Sequence, residues 1–551
     1  MIWWLSLLCL LMIPCGGLLR HGIVTTRRDA QIVIRLAHDQ RGSRYNGDDD
    51  NDMFPSTNRP DSRPRRSSAV KSSSGVIGRK PATTSPVQND NDPWKVLIKK
   101  LDSTKSSKQK FGKIDTAIMK TTTAASTPDI LQCKHFGVCA GCTIKGNFTM
   151  APIITKATNF FNSENVKLNI HYNNKISAGN KTIQVDNWHW QWRTHVKLAV
   201  QPLSKWGGLK IGLYKAGTHE VEAIPDCKVH HPRINEAVEE LKKQAIDVGV
   251  KGYYQDSSGN TPPSGELRYV QMTVERESGK VQLVLVWNSL MYKDAEQTLP
   301  RLVKKLKSRA DLWHSITVNF QTSESNTIFN YHPKAWKLLW GPPTLRERIG
   351  DVNFYFRPQI FRQANLDAFQ YGIIPLINAN VPVKSVVAEL YSGIGVIGLN
   401  VAASVDVEEV TCSDNNEFVD EVFDKCADSI VGAGRERVFY EQLSASDAVL
   451  QGQVDEADLL IVDPPRRGLD SGVVELLVNK HETAELSPNL KRIIYVSCGF
   501  EALESDTRSL LESGLWRIKS ADGFVLFPAS DHIETVVVFD RVASTNQLKN
   551  I

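Results

Sequence analysis

A chain of 551 residues is too long for one ordinary hydrophobic core, and with 41% hydrophobic and 23% charged residues it carries enough apolar surface to build more than one. The net charge of +5 does not describe a generally basic nucleic-acid binder. Residues 1–130 hold 21 Lys and Arg against 12 Asp and no Glu, so the remainder is net acidic and any grip on a polyanion must come from local patches. Nine cysteines, scattered apart from one tight group, exclude the even disulfide ladder of small secreted domains and suit a reducing compartment.

In chain order, residues 1–19 form a signal-like leader: an apolar run from Ile2 to Pro14 closed by Cys15-Gly16-Gly17, with no Lys or Arg before it and too short for a comfortable membrane span. Residues 20–129 are rich in Ser, Thr, Arg, Lys, Asn and Pro and include the Asp run 48–50, a composition that buries too little surface to fold. Such a leader and tract have the form of the bipartite address of a plastid bounded by extra membranes, with a cytoplasmic location as the alternative. No stable membrane insertion is expected after leader removal.

A β-rich central domain is expected over 130–350. It opens on Cys133-x5-Cys139-x2-Cys142, where three thiolates call for a fourth ligand, and Cys227 in Ile224-Pro225-Asp226-Cys227 is the candidate. Four cysteines satisfy either zinc or an iron–sulfur cluster. Periodicity predicts helices over 150–165 and 234–245, strands over 195–200 and 269–274, and a half-buried alternating strand over 280–287. Trp188, Trp190 and Trp192 alternate with polar residues, which suits a half-buried sheet face better than a base-stacking platform.

From 351 to 541 the pattern changes to apolar runs, at 385–390, 409–412, 457–462 and 492–496, separated by helical stretches, followed by a hairpin over 516–527 and 534–539. That is the signature of an α/β, doubly wound sheet with a closing hairpin; residues 542–551 read as a tail. Each run ends on a group suited to chemistry. The first leads into Glu389-Leu390-Tyr391-Ser392-Gly393-Ile394-Gly395-Val396-Ile397-Gly398, a tight strand-to-helix turn that lets a ligand approach the backbone. The second ends at Asp414, about twenty residues on, where an acid can accept ribose hydroxyls. The third ends in Asp463-Pro464-Pro465-Arg466-Arg467-Gly468 and the fourth in Ser497-Cys498-Gly499, so a carboxylate and a thiol stand at the carboxyl edge of the sheet, where open α/β folds bind ligands. Taken alone, Cys498 reads as inert packing.

These strings, together with Phe361-Arg362-Gln363-Ala364-Asn365 and Phe527-Pro528 with His532-Ile533-Glu534, resemble the RNA (uracil-5)-methyltransferases in order and spacing over roughly residues 130–541. The resemblance implies a Rossmann-like class I methyltransferase domain that uses S-adenosylmethionine, with Gln363, Tyr391, Asp414 and Asp463 around the methyl donor. It implies Cys498 as the nucleophile that adds to uracil C6 and Glu534 as the base that takes the C5 proton. It also implies that Cys133, Cys139, Cys142 and Cys227 hold a [4Fe-4S] cluster in preference to zinc, as in the ribosomal-RNA branch. The expected product is 5-methyluridine, in ribosomal RNA rather than transfer RNA, and the expected state is a monomer. Competing readings are a nitrogen-directed nucleic-acid methyltransferase and a non-catalytic RNA-binding or RNA-folding factor. The sequence departs from the family at Glu389, Ser392 and Asp414 and, beside the nucleophile, at Gly499-Phe500, where the family usually has Asn-Pro.

Overall fold

The structure is a computed structural model that describes residues 131–178, 181–184, 188–204, 207–255, 262–324 and 327–543. The leader, the 20–129 segment and the tail from 544 onward lie outside the described residues. Among the described residues no helix is long and apolar enough to cross a membrane.

The cysteine segment leads into the helix Pro152–Ser163, which has a proline in its first turn, then β1 (Leu168–His171) and the hairpin of β2 (Lys175–Ala178) and β3 (Lys181–Gln184). Next comes a seven-stranded sheet made of β4 (His195–Ser204), β5 (Gly207–Tyr214), β6 (Val221–Ala223), β7 (Leu267–Val274), β8 (Val281–Trp287), β9 (Trp313–Phe320) and β10 (Trp336–Trp340), in the order β10-β9-β8-β7-β4-β5-β6. Helices Pro232–Val248 and Leu299–Leu306 cover one face through Ile234, Leu241, Leu299 and Leu302. The strand expected to be half-buried is instead buried at every residue of β8, because Val284 and Val286 on its other face pack under Phe329 and Trp336. Trp188, Trp190 and Trp192 are also not on a sheet. They lie in turns, with Gln191 at φ 56°, and Trp192 is buried against Phe527 at 5.7 Å between ring centroids.

The hairpin of β11 (Leu345–Ile349) and β12 (Val352–Phe356) joins the second core, that of an eight-stranded sheet. Its strands are β1, β13 (Val386–Leu390), β14 (Glu409–Ser413), β15 (Val438–Glu441), β16 (Leu459–Val462), β17 (Arg492–Ser497), β18 (Trp516–Phe524) and β19 (Glu534–Arg541), in the order β1-β18-β19-β17-β16-β13-β14-β15. Strands β13 to β17 run parallel to one another, and β19 is antiparallel to both β17 and β18. The chain runs outward from β13 to β15 and then crosses back to β16, so the direction of winding reverses between β13 and β16. The crevice beyond that reversal is where such sheets bind ligands. Helix Pro152–Ser163 and β1, within the span read as central domain, complete this second sheet: β1 pairs with β18, and Phe160 and Phe161 pack on Phe500.

Candidate active site and cysteine cavity

β13 ends at the turn expected of it. Tyr391, Gly393 and Gly395 take φ of 59°, 53° and 76°, a left-handed run that folds the chain back over the sheet edge into helix Val396–Ser404. A Cβ on Gly395 would lie 2.5 Å from the Phe423 ring, and one on Gly398 would lie 2.4 Å from Glu389 Oε2, so neither position admits a side chain. Glu389 Oε2 accepts from Gly398 N–H at 2.8 Å and from the Cys412 thiol at 3.2 Å, which pins the helix to β13 and β14. Complete burial pushes its carboxyl up to about 8.

Asp414, just past β14, fastens the same turn: Oδ2 accepts from Gly393 N–H and Oδ1 from Asn416 N–H, both at 2.9 Å. Each oxygen keeps a further lone pair for a ligand hydroxyl. Tyr391 Oη accepts from Asp470 N–H at 2.9 Å. Gln363 is held from the other side. Its neighbour Arg362 is buried and donates to Thr194 Oγ1 at 3.0 Å and to Glu347 Oε1 at 2.5 Å, while Asn365 Nδ2 donates to Leu526 O at 2.8 Å.

One cavity of about 570 Å³ is lined by Gln363, Tyr391, Asp414, Asp463, Cys498 and Glu534 together. The structure thus gathers the four residues expected at the donor and both expected catalytic groups. The ionisation of Asp463, Glu534 and Cys498 is strongly perturbed. Burial pushes the Asp463 carboxyl up to about 7. Burial first, and the neighbouring Asp463 charge second, push Glu534 well above the carboxylate range. Both Glu534 oxygens are sealed from solvent without a hydrogen-bond partner, in a residue only 1% exposed. Burial, with Glu534 and Asp463 beside it, raises the Cys498 thiol to about 11, and the Arg466 guanidinium opposes that rise. Such a site favours the neutral forms until a ligand brings a reason to ionise one group, and that is where acid–base catalysts are found.

Both arginines of the Asp463–Arg467 loop are exposed; Arg467 pairs with Asp470 at 2.8 Å, whereas the charge of Arg466 acts on the Cys498 thiol. The departure at Gly499-Phe500 also has a physical account. A Cβ at Gly499 would stand 2.3 Å from Arg466 O, so glycine lets the Asp463–Arg467 loop lie against the end of β17. Phe500 starts helix Phe500–Glu512 and anchors it on Phe160 and Phe161.

Cys133, Cys139, Cys142 and Cys227 line a second cavity of about 430 Å³. Burial and the other thiols raise Cys142 to about 12, and the Arg193 guanidinium offsets part of that repulsion. Among the described residues no group of three or more His, Cys, Asp or Glu side chains is placed to hold a metal ion. The donor set and the adjacent cation nevertheless fit a group bound by thiolates. This cavity shares Arg466 and Phe527 with the first. Its segment also braces the loop that leads into β19: Ala529, at φ 71°, accepts at its carbonyl from Thr143 N–H at 2.9 Å and Ile144 N–H at 3.0 Å, and Asp531 N–H donates to Thr143 Oγ1 at 2.8 Å. Nothing in the sequence pattern signalled these contacts.

The fold and the donor cavity define a class I methyltransferase. Residues 435–542 match the family model described as tRNA (Uracil-5-)-methyltransferase. The chain is similar to an uncharacterized RNA methyltransferase of Protochlamydia amoebophila, 34% identical over 419 residues that cover 75% of this chain and 98% of that one. It is also similar to one from Halalkalibacterium halodurans, 26% identical over 63% of this chain and 71% of the other. In fold it resembles the Pyrococcus abyssi tRNA (uracil-54, C5)-methyltransferase solved with S-adenosyl-L-homocysteine, with a TM-score of 0.52 and 21% identity over 73% of this chain and 86% of that one. The chain therefore belongs to the RNA methyltransferases, and its C-terminal part, residues 435–542, matches the uracil-5 family.

Proposed function

We propose that the enzyme methylates C5 of a uridine in RNA, with Cys498 as nucleophile and Glu534 as base. The observation that carries this reading is a buried carboxylate without a partner in the same cavity as the thiol at the end of β17. Uracil C5 is a weak nucleophile. Addition of the Cys498 thiolate to C6 forms an S–C6 bond and moves electron density onto C5 and O4. S-adenosylmethionine, when bound, supplies an electrophilic methyl group to that carbon. The C5 proton then passes to Glu534, the C5–C6 double bond re-forms and the S–C6 bond breaks, returning the thiolate. Glu534 is suited to this because burial raises its proton affinity. Arg466 steadies the thiolate between turnovers. Gln363, Tyr391, Asp414 and Asp463 hold and orient the donor, and the target base leaves its stack to enter.

Four thiols lining one cavity of about 430 Å³ beside the Arg193 guanidinium are what supports a [4Fe-4S] cluster here, with zinc as the alternative. The cluster would be held by Cys133, Cys139, Cys142 and Cys227 in a structural role, since methyl transfer moves no net electrons. About four irons and four acid-labile sulfides per chain after anaerobic purification are expected, and one zinc would contradict the assignment. The cysteine pattern also supports ribosomal RNA as the substrate. Mapping 5-methyluridine in organellar and cytosolic RNA after deletion of the gene tests the function: one ribosomal site should lose its methyl group, and no change at any site would refute the reading.

A further inference from the structure

The stretch that carries Gln363, residues 357–365, belongs to no helix or strand, so no ladder of its own fixes the side chain that lines the donor cavity. One residue at the edge of the other sheet holds it on both sides. Thr194, buried directly before β4, donates to Ala364 O from its N–H at 3.0 Å and from its hydroxyl at 3.2 Å, and the same hydroxyl accepts from Arg362 Nη1 at 3.0 Å. Arg362 and Ala364 are the two chain neighbours of Gln363. Thr194 is fixed in turn: its carbonyl accepts from Val274 N–H at 2.8 Å at the end of β7, and Val274 O accepts from Arg362 Nη2 at 3.3 Å. Behind Arg362 stands a network of buried charge. Glu347 on β11 accepts from Arg362 and, through Oε2, from Arg276 Nε at 2.7 Å, and Arg276 also reaches Asp367. Such buried ion pairs add little stability over apolar side chains of similar size. What this one fixes is the place of the Arg362 guanidinium against Thr194.

We propose that Thr194 is a positioning residue for the methyl donor, setting Gln363 at the donor cavity by holding both of its neighbours. The seven-stranded sheet thereby completes a site whose other groups stand at strand ends of the eight-stranded one. Neither Thr194 nor Glu347 lines the donor cavity, so both act on the donor only through the segment that carries Gln363. The proposal rests on the reading of Gln363 as a donor contact and not on which atom of the RNA is methylated.

The test is calorimetric binding of S-adenosylmethionine to the full chain. Gln363→Ala should weaken binding about tenfold, and Thr194→Val, which keeps the branched shape but removes the hydroxyl, about fivefold. Thr194→Ser, which keeps the hydroxyl, should bind within about twofold of the wild type. If Thr194 acts through Gln363, the two losses do not add, and the double variant should bind within about twofold of Gln363→Ala alone. A general loosening of the fold would add its own loss. Arg362→Lys keeps the charge but cannot reach Thr194 and Glu347 together. It should repeat both the fall and the non-additivity, and it decides the matter if Thr194→Val fails to fold. Unchanged affinity in these variants, a Thr194→Ser enzyme as weak as Thr194→Val, or losses that add to that of Gln363→Ala would overturn the positioning role while leaving Gln363 as a donor contact. Full affinity in Gln363→Ala would overturn the donor role of Gln363 and the proposal with it, so the two failures are told apart.

Discussion

The donor cavity and the cysteine cavity share Arg466 and Phe527, yet they are built in different ways. The first is assembled from strand ends: β13, β14, β16, β17 and β19 each place one group, Tyr391, Asp414, Asp463, Cys498 and Glu534, at or just beyond a terminus fixed by ladder hydrogen bonds. The second is assembled from loops around Cys133–Cys142 and Cys227, tied to the loop that leads into β19 through Ala529 and Asp531. A sheet edge orients reacting groups before any ligand arrives. A loop cluster without such a ladder depends on the few contacts that tie it to its neighbours.

Substitutions sharpen this contrast. Cys498→Ala should abolish methyl transfer, by about four orders of magnitude or more, without changing S-adenosylmethionine affinity, as a radiolabel-transfer assay and calorimetry would show together. Glu534→Gln should slow turnover about 10²–10⁴-fold while an RNA–protein adduct accumulates on denaturing gels, since the adduct forms but the C5 proton cannot leave. Asp414→Ala removes the acceptor for two backbone N–H groups in the donor turn, and S-adenosylmethionine should bind about tenfold more weakly or worse. Arg466→Gln removes the cation that lowers the Cys498 thiol. In the wild type kcat/KM should rise with pH as the thiolate fraction grows toward about 11, and in this variant the rise should move to higher pH, leaving roughly a tenfold deficit near neutrality.

The smallest effect belongs to Glu389. Its folded carboxyl is raised from 4.5 to about 8, so the stability it contributes is complete below 4.5 and is lost as pH rises through about 8. Glu389→Gln stays neutral, and its melting temperature should fall less between those limits, by about 2–4 °C for each kcal/mol recovered. A parallel decline in both proteins would place the titrating group elsewhere.

The same contrast explains what could be read from the chain. Strand-end groups were legible because each follows an apolar run and the runs occur in order; β13, β14, β16 and β17 all start and stop within about two residues of expectation. β15, only Val438–Glu441, escaped notice, and so did the docking of β1 on β18, since pairing Leu168 with Ala521 leaves no local trace. The cysteines were visible as residue types, but the bracing of Thr143 and Ile144 on Ala529 was not, because backbone contacts between distant loops carry no composition. The Trp188–Trp192 alternation misled because a period of two also arises in turns. Gly499, a departure from the family beside Cys498, is accounted for by the closeness of Arg466 O.

The central claim is that Cys498 bonds covalently to the base it prepares for methylation. The most direct measurement is incubation of the enzyme and S-adenosylmethionine with RNA in which uridine is replaced by 5-fluorouridine, followed by denaturing electrophoresis and peptide mass spectrometry. Fluorine at C5 cannot leave as a proton, so the account predicts a stable adduct that carries the transferred methyl group and maps to Cys498. Methylation of ordinary RNA by the Cys498→Ala enzyme, with no adduct on the fluorinated RNA in the wild type, would contradict it.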